Sequence, residues 1–352
     1  MPGATFRHRR TLLRTLLSHA LFAITISLLI AAQSPAAAQA QAKPPATSGT
    51  VQTTRPNLRP KLIPGEVMRY QVEFQTTSDT KRGGAVQDPE GPSHLAIIWD
   101  ATVRIEVLGG SGVVPLRTTY EQSAATVQSD TPDPQADAIV KQYQQLEGRS
   151  IEFTLDAAGN VSTVQGLEGI MTDANTVKAA QQWMAQLSSG SSAPAAGVVP
   201  GMTWSSEQVA DALPVPGLVW RTDSTYLRDE SCHPAPPSGS AANRPDDTCA
   251  VILMNLLLSP PRSKTNRAPD EFRQNGLQTK GHWAGSGDSL SYISLRTGWV
   301  VSASQSSSQE MDVDISNALG ATVHFAGTVQ THSQISLLPP APAPAATPAA
   351  AR

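Results

Sequence analysis

The sequence holds few charged residues and no long hydrophobic run beyond its N-terminal region. Charged residues make up 16% of the 352 residues, and the formal net charge is −3. Nucleic acids and anionic membrane surfaces attract basic patches, so this composition argues against both kinds of partner. The longest later apolar run, residues 250–258, has the length of a strand and is too short to span a bilayer. We therefore expect no transmembrane segment after the N-terminal region.

The chain also lacks a complete catalytic, phosphate-binding or metal-binding motif. Ser78 and Lys81 have the Ser-x-x-Lys spacing of penicillin-binding enzymes, but no Lys-Thr-Gly partner is present. The glycine-rich stretch 281–287 has no P-loop lysine. His324 and His332, on one face of one strand, would lie more than roughly 20 Å apart, too far to share a metal ion. The sequence thus predicts no catalytic, cofactor-binding or metal-binding residue and a protein that is not an enzyme.

Only two cysteines, Cys232 and Cys249, are present. Residues 233–248 between them contain no large apolar side chain, so this segment cannot pack by itself. Its length does not fit a CxxC redox motif. In an oxidising compartment we predict a structural disulfide worth about 3 kcal/mol in the loop-entropy model. Two free thiols are the alternative.

The first forty residues have the order of charge and hydrophobicity of an export signal. They hold four arginines and no acidic residue, then the apolar stretch 20–32, then a small-residue site at residues 38–40. The apolar stretch is shorter than the roughly 20 residues of a spanning helix. We predict cleavage near Ala40 and a periplasmic or secreted protein with a net charge near −7. Since no cysteine lies near this site, a lipid anchor is not expected.

Alternating apolar and polar residues predict β-strands through most of the remaining chain. The longest one-faced apolar patterns lie at residues 95–107 and 299–315, and glycine turns follow Leu155 and Leu295. Ile139, Val140, Tyr143 and Leu146 have helical spacing, as do five apolar residues between 173 and 187. The further predicted strands include residues 70–74, 151–155, 218–226, 250–258, 278–283, 289–295 and 322–338.

These patterns predict a mainly β fold with two helices, in the α+β class. We expect long, curved antiparallel strands forming a half-barrel around a helix. The hairpins at the glycine turns after Leu155 and Leu295 are similar enough to suggest two related halves, with chance similarity as the alternative. The predicted organisation is a signal peptide at 1–40, a disordered leader at 41–62, a β-rich domain at 63–338 and a disordered Pro/Ala tail at 339–352, with halves at 63–170 and 198–338 joined by the helix 173–187.

Several turn signatures give the chain a resemblance to a group of bacterial envelope β proteins. The hairpin 155–161, the segment Val198-Val-Pro-Gly-x-x-Trp204 and the stretch Arg296-Thr-Gly-Trp299 resemble secreted and lipoprotein-type members of that group. The resemblance implies a half-barrel fold like that of periplasmic carriers. It implies no particular activity, because one fold serves many functions.

The two long one-faced apolar strands beside an amphipathic helix suggest an apolar groove. Its candidate lining residues are Trp99, Val103, Trp183, Trp220 and Trp299; ordinary core packing is the alternative. The leading hypothesis is a non-enzymatic envelope protein that binds an apolar small molecule or a lipid. A structural or interaction module that contacts other envelope proteins is the second hypothesis, and a hydrolase with scattered catalytic residues is the third.

Overall fold

The computed structural model describes most of the predicted β-rich region. It covers residues 55–84, 93–109, 112–130, 136–156, 161–166, 193–210, 218–232, 247–260, 272–274, 277–316 and 320–339. The strands are β1 Val67–Gly84, β2 Ser93–Val107, β3 Val114–Ser129, β4 Ser150–Leu155, β5 Val161–Gln165, β6 Thr203–Val209, β7 Val219–Ser231, β8 Thr248–Ser259, β9 Phe272–Gln274, β10 Leu277–Ser294, β11 Val300–Ser316 and β12 Thr322–Leu337. The helix within these ranges, α1, is Ala136–Gln144.

All twelve strands of the described ranges belong to one antiparallel sheet. Eleven follow the order β5-β4-β3-β2-β1-β12-β11-β10-β8-β7-β6, and β9 pairs with the end of β10. Strands from residues 63–170 form one side of this order, and strands from residues 198–338 form the other. The two sides meet where β1 pairs with β12, from Tyr70 opposite Leu337 to Gly84 opposite Val323. The mainly β prediction is confirmed.

Alternation along the strands gives the sheet one buried face. In β1, Tyr70, Val72 and Phe74 are buried, while Glu73 and Gln75 between and beyond them are exposed. Residues directly opposite one another in neighbouring strands share a face, so the register extends this assignment across the sheet. We call the face of Tyr70 the inner face and the other the outer face. The predicted apolar set of β2 lies on the inner face and is buried: Leu95, Ile97, Trp99, Ala101, Val103, Ile105 and Val107.

Helix α1 packs on the inner face of β3, as its apolar spacing predicts. Tyr143 is buried, as is Leu146 just after the helix, and the ring centroid of Tyr143 lies 5.3 Å from that of Trp99. The Ser123 hydroxyl of β3 donates a 2.7 Å hydrogen bond to the Tyr143 carbonyl. The second predicted helix, 173–187, lies outside the described residues, and the half-barrel curvature stays a prediction.

The glycine-rich stretch differs from its predicted structure. The sequence predicts two strands, 278–283 and 289–295, separated at these glycines, but β10 continues through them. A Cβ atom added at Gly287 would lie 2.4 Å from the Ser306 carbonyl oxygen of β11. One added at Gly285 would lie 2.6 Å from Cγ of Gln309. The glycines therefore allow β10 and β11 to approach closely, and they do not end the strand.

The end of the predicted leader also differs, because residues 55–62 lie against the sheet. Leu58 is 1% exposed and packs in an apolar cluster with Tyr226 and Ile252. The Lys61 amide donates to the Thr297 carbonyl over 2.7 Å. One buried leucine and backbone hydrogen bonds fix a segment whose composition alone suggests disorder. Residues 41–54 of the predicted leader lie outside the described residues.

The predicted disulfide between Cys232 and Cys249 is present. It joins residues at the β7 and β8 ends, with the two Cα atoms 4.9 Å apart. The Cys232 amide donates to the carbonyl of Asp247, whose carboxylate accepts a 2.7 Å hydrogen bond from the Ser294 hydroxyl. The disulfide therefore fixes the end of the β7–β8 pair beside β10. In the described ranges, no helix is sufficiently long and apolar to cross a membrane.

Candidate functional site

Besides the cluster around Leu58, Tyr226 and Ile252, the inner face carries two further apolar clusters at different places on the sheet. The first cluster is built on β1 to β4 and α1 and also contains Trp299 and Ile335. The second cluster draws on the opposite ends of β11 and β12 and on β7, β8 and β10. The members of the second cluster are Ala210, Leu218, Trp220, Leu256, Leu258, Trp283, Met311, Val313, Phe325 and Val329.

The predicted groove residues divide between these clusters. Trp99, Val103 and Trp299 lie together in the first cluster, and Trp220 lies in the second. All four are buried, so each makes contacts like those of a core residue. Trp183 lies outside the described residues. The structure thus brings three of the five predicted residues together, and the groove itself stays a prediction.

A row of buried hydroxyl groups lies between the two clusters. Thr331 of β12 is directly opposite Thr76 of β1 on one side and Ser307 of β11 on the other. Thr76 is 2% exposed, Thr331 6% and Ser307 9%. Within the described part of the chain, the side-chain oxygen of each has no hydrogen-bond partner. We call these three residues the hydroxyl row.

The hydroxyl row is the centre of a wider uncharged polar band. On β12, Thr331 and Ser333 separate Ile335 of the first cluster from Val329 of the second. Six residues of strand span roughly 20 Å, which sets the distance between these two apolar side chains. On β11, alternate inner positions from 305 to 309 are Gln, Ser and Gln. The sequence contains this signal, since the apolar parity of residues 299–315 is interrupted there.

Two tyrosines show how apolar the first cluster is. Tyr70 is fully buried, and its hydroxyl donates a 3.0 Å hydrogen bond to the Val300 carbonyl. Burial raises the pKa of Tyr70 above its ordinary value, and the nearby negative charge of Glu66 raises it further. Burial is likewise the main cause of the raised pKa of Tyr120. Ionised groups are thus strongly disfavoured in this cluster.

The outer face has a polar trough over the central strands, with a volume of about 460 Å³. Its lining includes Gln75, Asp288, Ser306 and His332, and Ser306 Oγ lies 3.1 Å from His332 Nδ1. Asp288 lies opposite Ser306, on the side away from His332. The carboxylate is thus two strand spacings from the imidazole, roughly 10 Å, too far for a Ser-His-Asp arrangement.

Two histidines of the outer face, His94 and His324, pair with carboxylates. His324 Nδ1 lies 3.0 Å from Asp314, and His324 Nε2 lies 3.7 Å from Asp312. His94 Nδ1 lies 2.7 Å from Asp79. Among the described residues, no three or more His, Cys, Asp and Glu side chains form a group that could hold a metal ion.

Comparisons with known proteins place the chain in no family. No protein-family model matches it, and no curated protein does. A solved structure titled for lipid–protein interactions in lipovitellin is similar with a TM-score of 0.39 and 12% identity, over 82% of this chain and 27% of that one. This chain therefore spans about a quarter of the lipovitellin chain.

Two further solved structures have lower scores. DynF from the dynemicin biosynthesis pathway of Micromonospora chersina has a TM-score of 0.18 and 9% identity, over 87% of this chain and 99% of that one. An outer membrane channel of Pseudomonas putida F1 has a TM-score of 0.18 and 6% identity, over 80% of this chain and 98% of that one. At these scores, none of the three similarities carries a functional argument.

Proposed function

We propose that the protein is a non-enzymatic binding protein of the bacterial envelope that holds an apolar, lipid-like ligand against the inner face of its sheet. The observation that supports this most is the hydroxyl row, because buried polar groups without partners are rare in folded proteins. A buried hydroxyl without a hydrogen-bond partner costs about 1–3 kcal/mol of stability, so three of them together destabilise the fold. A ligand acceptor that reached these oxygens would offset that cost.

The surroundings of the hydroxyl row fit an apolar ligand. Apolar clusters lie on both sides of the row. The described inner-face neighbours of the row along its strands are all uncharged: Phe74, Ser78, Gln305, Gln309, Val329 and Ser333. A hydrocarbon thus meets no charged group there.

An exported location belongs to the same proposal. The order of charge and hydrophobicity in residues 1–40 supports export, and the disulfide between Cys232 and Cys249 suits an oxidising compartment. The proposal also includes membership of the secreted envelope β proteins that the turn signatures resemble.

Two measurements test the apolar ligand. Native mass spectrometry of the protein purified from its own envelope, followed by solvent extraction, detects a co-purifying lipid. The extracted protein is then titrated with 1-bromododecane, whose bromine quenches tryptophan fluorescence on contact. We expect quenching that Trp220→Phe or Trp99→Phe reduces, according to the cluster occupied. Dodecane is the control, since it competes without quenching. Absence of both a mass shift and quenching contradicts the proposed function.

A structural or protein-interaction module is the second candidate. β6 ends the strand order and pairs, in the described ranges, with β7, and its Val209 is 50% exposed. An edge strand can accept a strand of another protein through its backbone groups. Cross-linking in intact cells distinguishes this candidate: a partner cross-linked at residue 209, with no co-purifying lipid, favours the interaction module.

A further inference from the structure

We propose that one corner of the sheet inserts into the interfacial region of a neutral lipid membrane. In the described part of the chain seven large apolar side chains are exposed, and four of them lie at this corner: Ile63, Val67, Leu108 and Val113. We call these four residues the apolar tip. Contiguous exposed apolar surface marks contact sites for a membrane or another protein, whereas single exposed residues do not. The apolar tip lies outside the inner-face clusters, so this inference does not depend on a ligand there.

The apolar tip is built from two chain reversals that lie side by side. The first precedes β1, and the second joins β2 to β3. The Gly65 amide donates a 2.8 Å hydrogen bond to the Val107 carbonyl, and the Val107 amide donates a 3.0 Å hydrogen bond to the Glu66 carbonyl. The Leu108 amide donates to the Pro115 carbonyl over 2.9 Å. These hydrogen bonds hold the apolar side chains of both reversals in one patch.

Both reversals project away from the rest of the protein. A Cβ atom added at Gly65, Gly109 or Gly112 would meet no atom within 4 Å beyond its chain neighbours. The side chains beside these glycines are open to solvent, since Ile63 is 57% exposed and Val113 is 54% exposed. A projecting tip can enter a fluid interface without a complementary cavity, which a protein partner would have to provide. The shape of the corner therefore favours a membrane.

The exposed area of the apolar tip is too small for a stable interface between proteins. The four exposed fractions lie between 37% and 57%, so together they equal about two whole side chains, roughly 200 Å². A standard protein interface buries about 800 Å² on each partner. Membrane insertion has no such minimum, because its strength grows with each apolar group that is buried. The area therefore favours a membrane over a second copy of this chain.

The charges beside the apolar tip favour a neutral lipid surface. Within two positions of its four residues, the charged residues are Lys61, Arg69, Glu66 and Glu106, whose charges sum to zero. Attraction to an anionic surface needs an excess of basic residues, which this corner lacks. Insertion thus depends on apolar contact and should change little with salt, unlike binding through exposed charges.

The test measures how the protein purified from its own cells binds vesicles of dioleoylphosphatidylcholine. Co-flotation gives the bound fraction of the wild type, Val113→Ser and Val209→Ser. Val209 is the matched control, because it is 50% exposed in β6, at the end of the strand order. We expect Val113→Ser to weaken binding about three- to tenfold, since it removes the insertion of about half an aliphatic side chain. Val209→Ser, and a change from about 0.1 M to 1 M NaCl, should each alter binding less than about twofold.

A fluorophore then identifies the part of the protein that meets the vesicle. The polarity-sensitive dye NBD attached to Val113→Cys should brighten when vesicles are added, and the same dye on Val209→Cys should not. Absence of wild-type flotation, equal flotation of Val113→Ser and the wild type, or equal brightening at both positions overturns the inference. Brightening at residue 113 that rises with protein concentration without vesicles indicates a second copy and also overturns it.

Two controls separate this inference from other causes of lost binding. Val113→Ser should leave quenching by 1-bromododecane unchanged, so failure of the apolar tip and failure of the proposed ligand site are distinguishable. Circular dichroism confirms the fold, and Ile63→Ser repeats the flotation test if Val113→Ser does not fold.

Discussion

Thr331→Val should stabilise the protein once its lipid has been extracted. The hydroxyl of Thr331 is buried and has no partner in the described part of the chain, so the empty protein carries its desolvation cost. Replacing the hydroxyl by a methyl group removes a cost of about 1–3 kcal/mol. Valine and threonine are both β-branched and both favour strands, so the backbone contribution is matched.

The assay is urea unfolding of extracted protein, followed by circular dichroism and tryptophan fluorescence. We expect the free energy of unfolding to rise by about 1–2 kcal/mol, with a rise in Tm of about 2–4 °C per kcal/mol for a domain of this size. The exposed control Thr328→Val should change stability by less than about 0.5 kcal/mol. If Thr331→Val instead lowers stability by more than 1 kcal/mol, the hydroxyl has a partner in the protein, and the reasoning behind the hydroxyl row is wrong.

Three further predictions concern the fold. Tyr70→Phe should reduce the loss of stability above pH 10 by up to about 1.4 kcal/mol per pH unit, because the wild-type phenol ionises at lower pH in the unfolded chain than in the folded one. Urea titrations at pH 9, 10 and 11 measure the free energy of unfolding of both proteins. Equal slopes of this free energy against pH contradict the prediction. Replacing Cys232 and Cys249 by serine should cost about 3 kcal/mol in the loop-entropy model, and a loss below 1 kcal/mol in urea shows that the loop is constrained without the bond. Gly287→Ala should cost about 1–3 kcal/mol by overpacking. Urea unfolding measures this cost, and the control Gly83→Ala, whose added Cβ meets nothing nearer than 3.9 Å, should be close to neutral.

Strands and helices with a periodic pattern of apolar residues were predictable from the sequence. β2 alternates apolar and polar residues from Leu95 to Val107, and α1 presents Ile139 and Tyr143 at helical spacing. Each pattern reflects burial of one side of one element, which a single segment of sequence records. The disulfide was predictable for a similar reason, since only two cysteines were available to form it.

Features that depend on a neighbouring strand were harder to predict. In the sequence, Gly287 suggests the end of a strand. The structure shows a different reason for the glycine, because the Ser306 carbonyl of β11 leaves no room for a Cβ atom. Trp220 and Trp99 both look like residues of an apolar strand, and the strand order alone assigns them to different clusters. The hydroxyl row required the register of three strands, β1, β12 and β11. Sequence alternation gives the face of a residue but not its partner.

The seam between β1 and β12 makes the first and last strands of the described fold neighbours at the middle of the sheet. Synthesis delivers β1 first and β12 last, so this seam forms only when the whole fold has been made. Strands on either side of it can pair with near neighbours in sequence, which is fast, while the seam has the largest loop to close. Until β12 arrives, β1 and β11 each present an open edge to other chains. Folding speed and protection from aggregation therefore depend on the final strand.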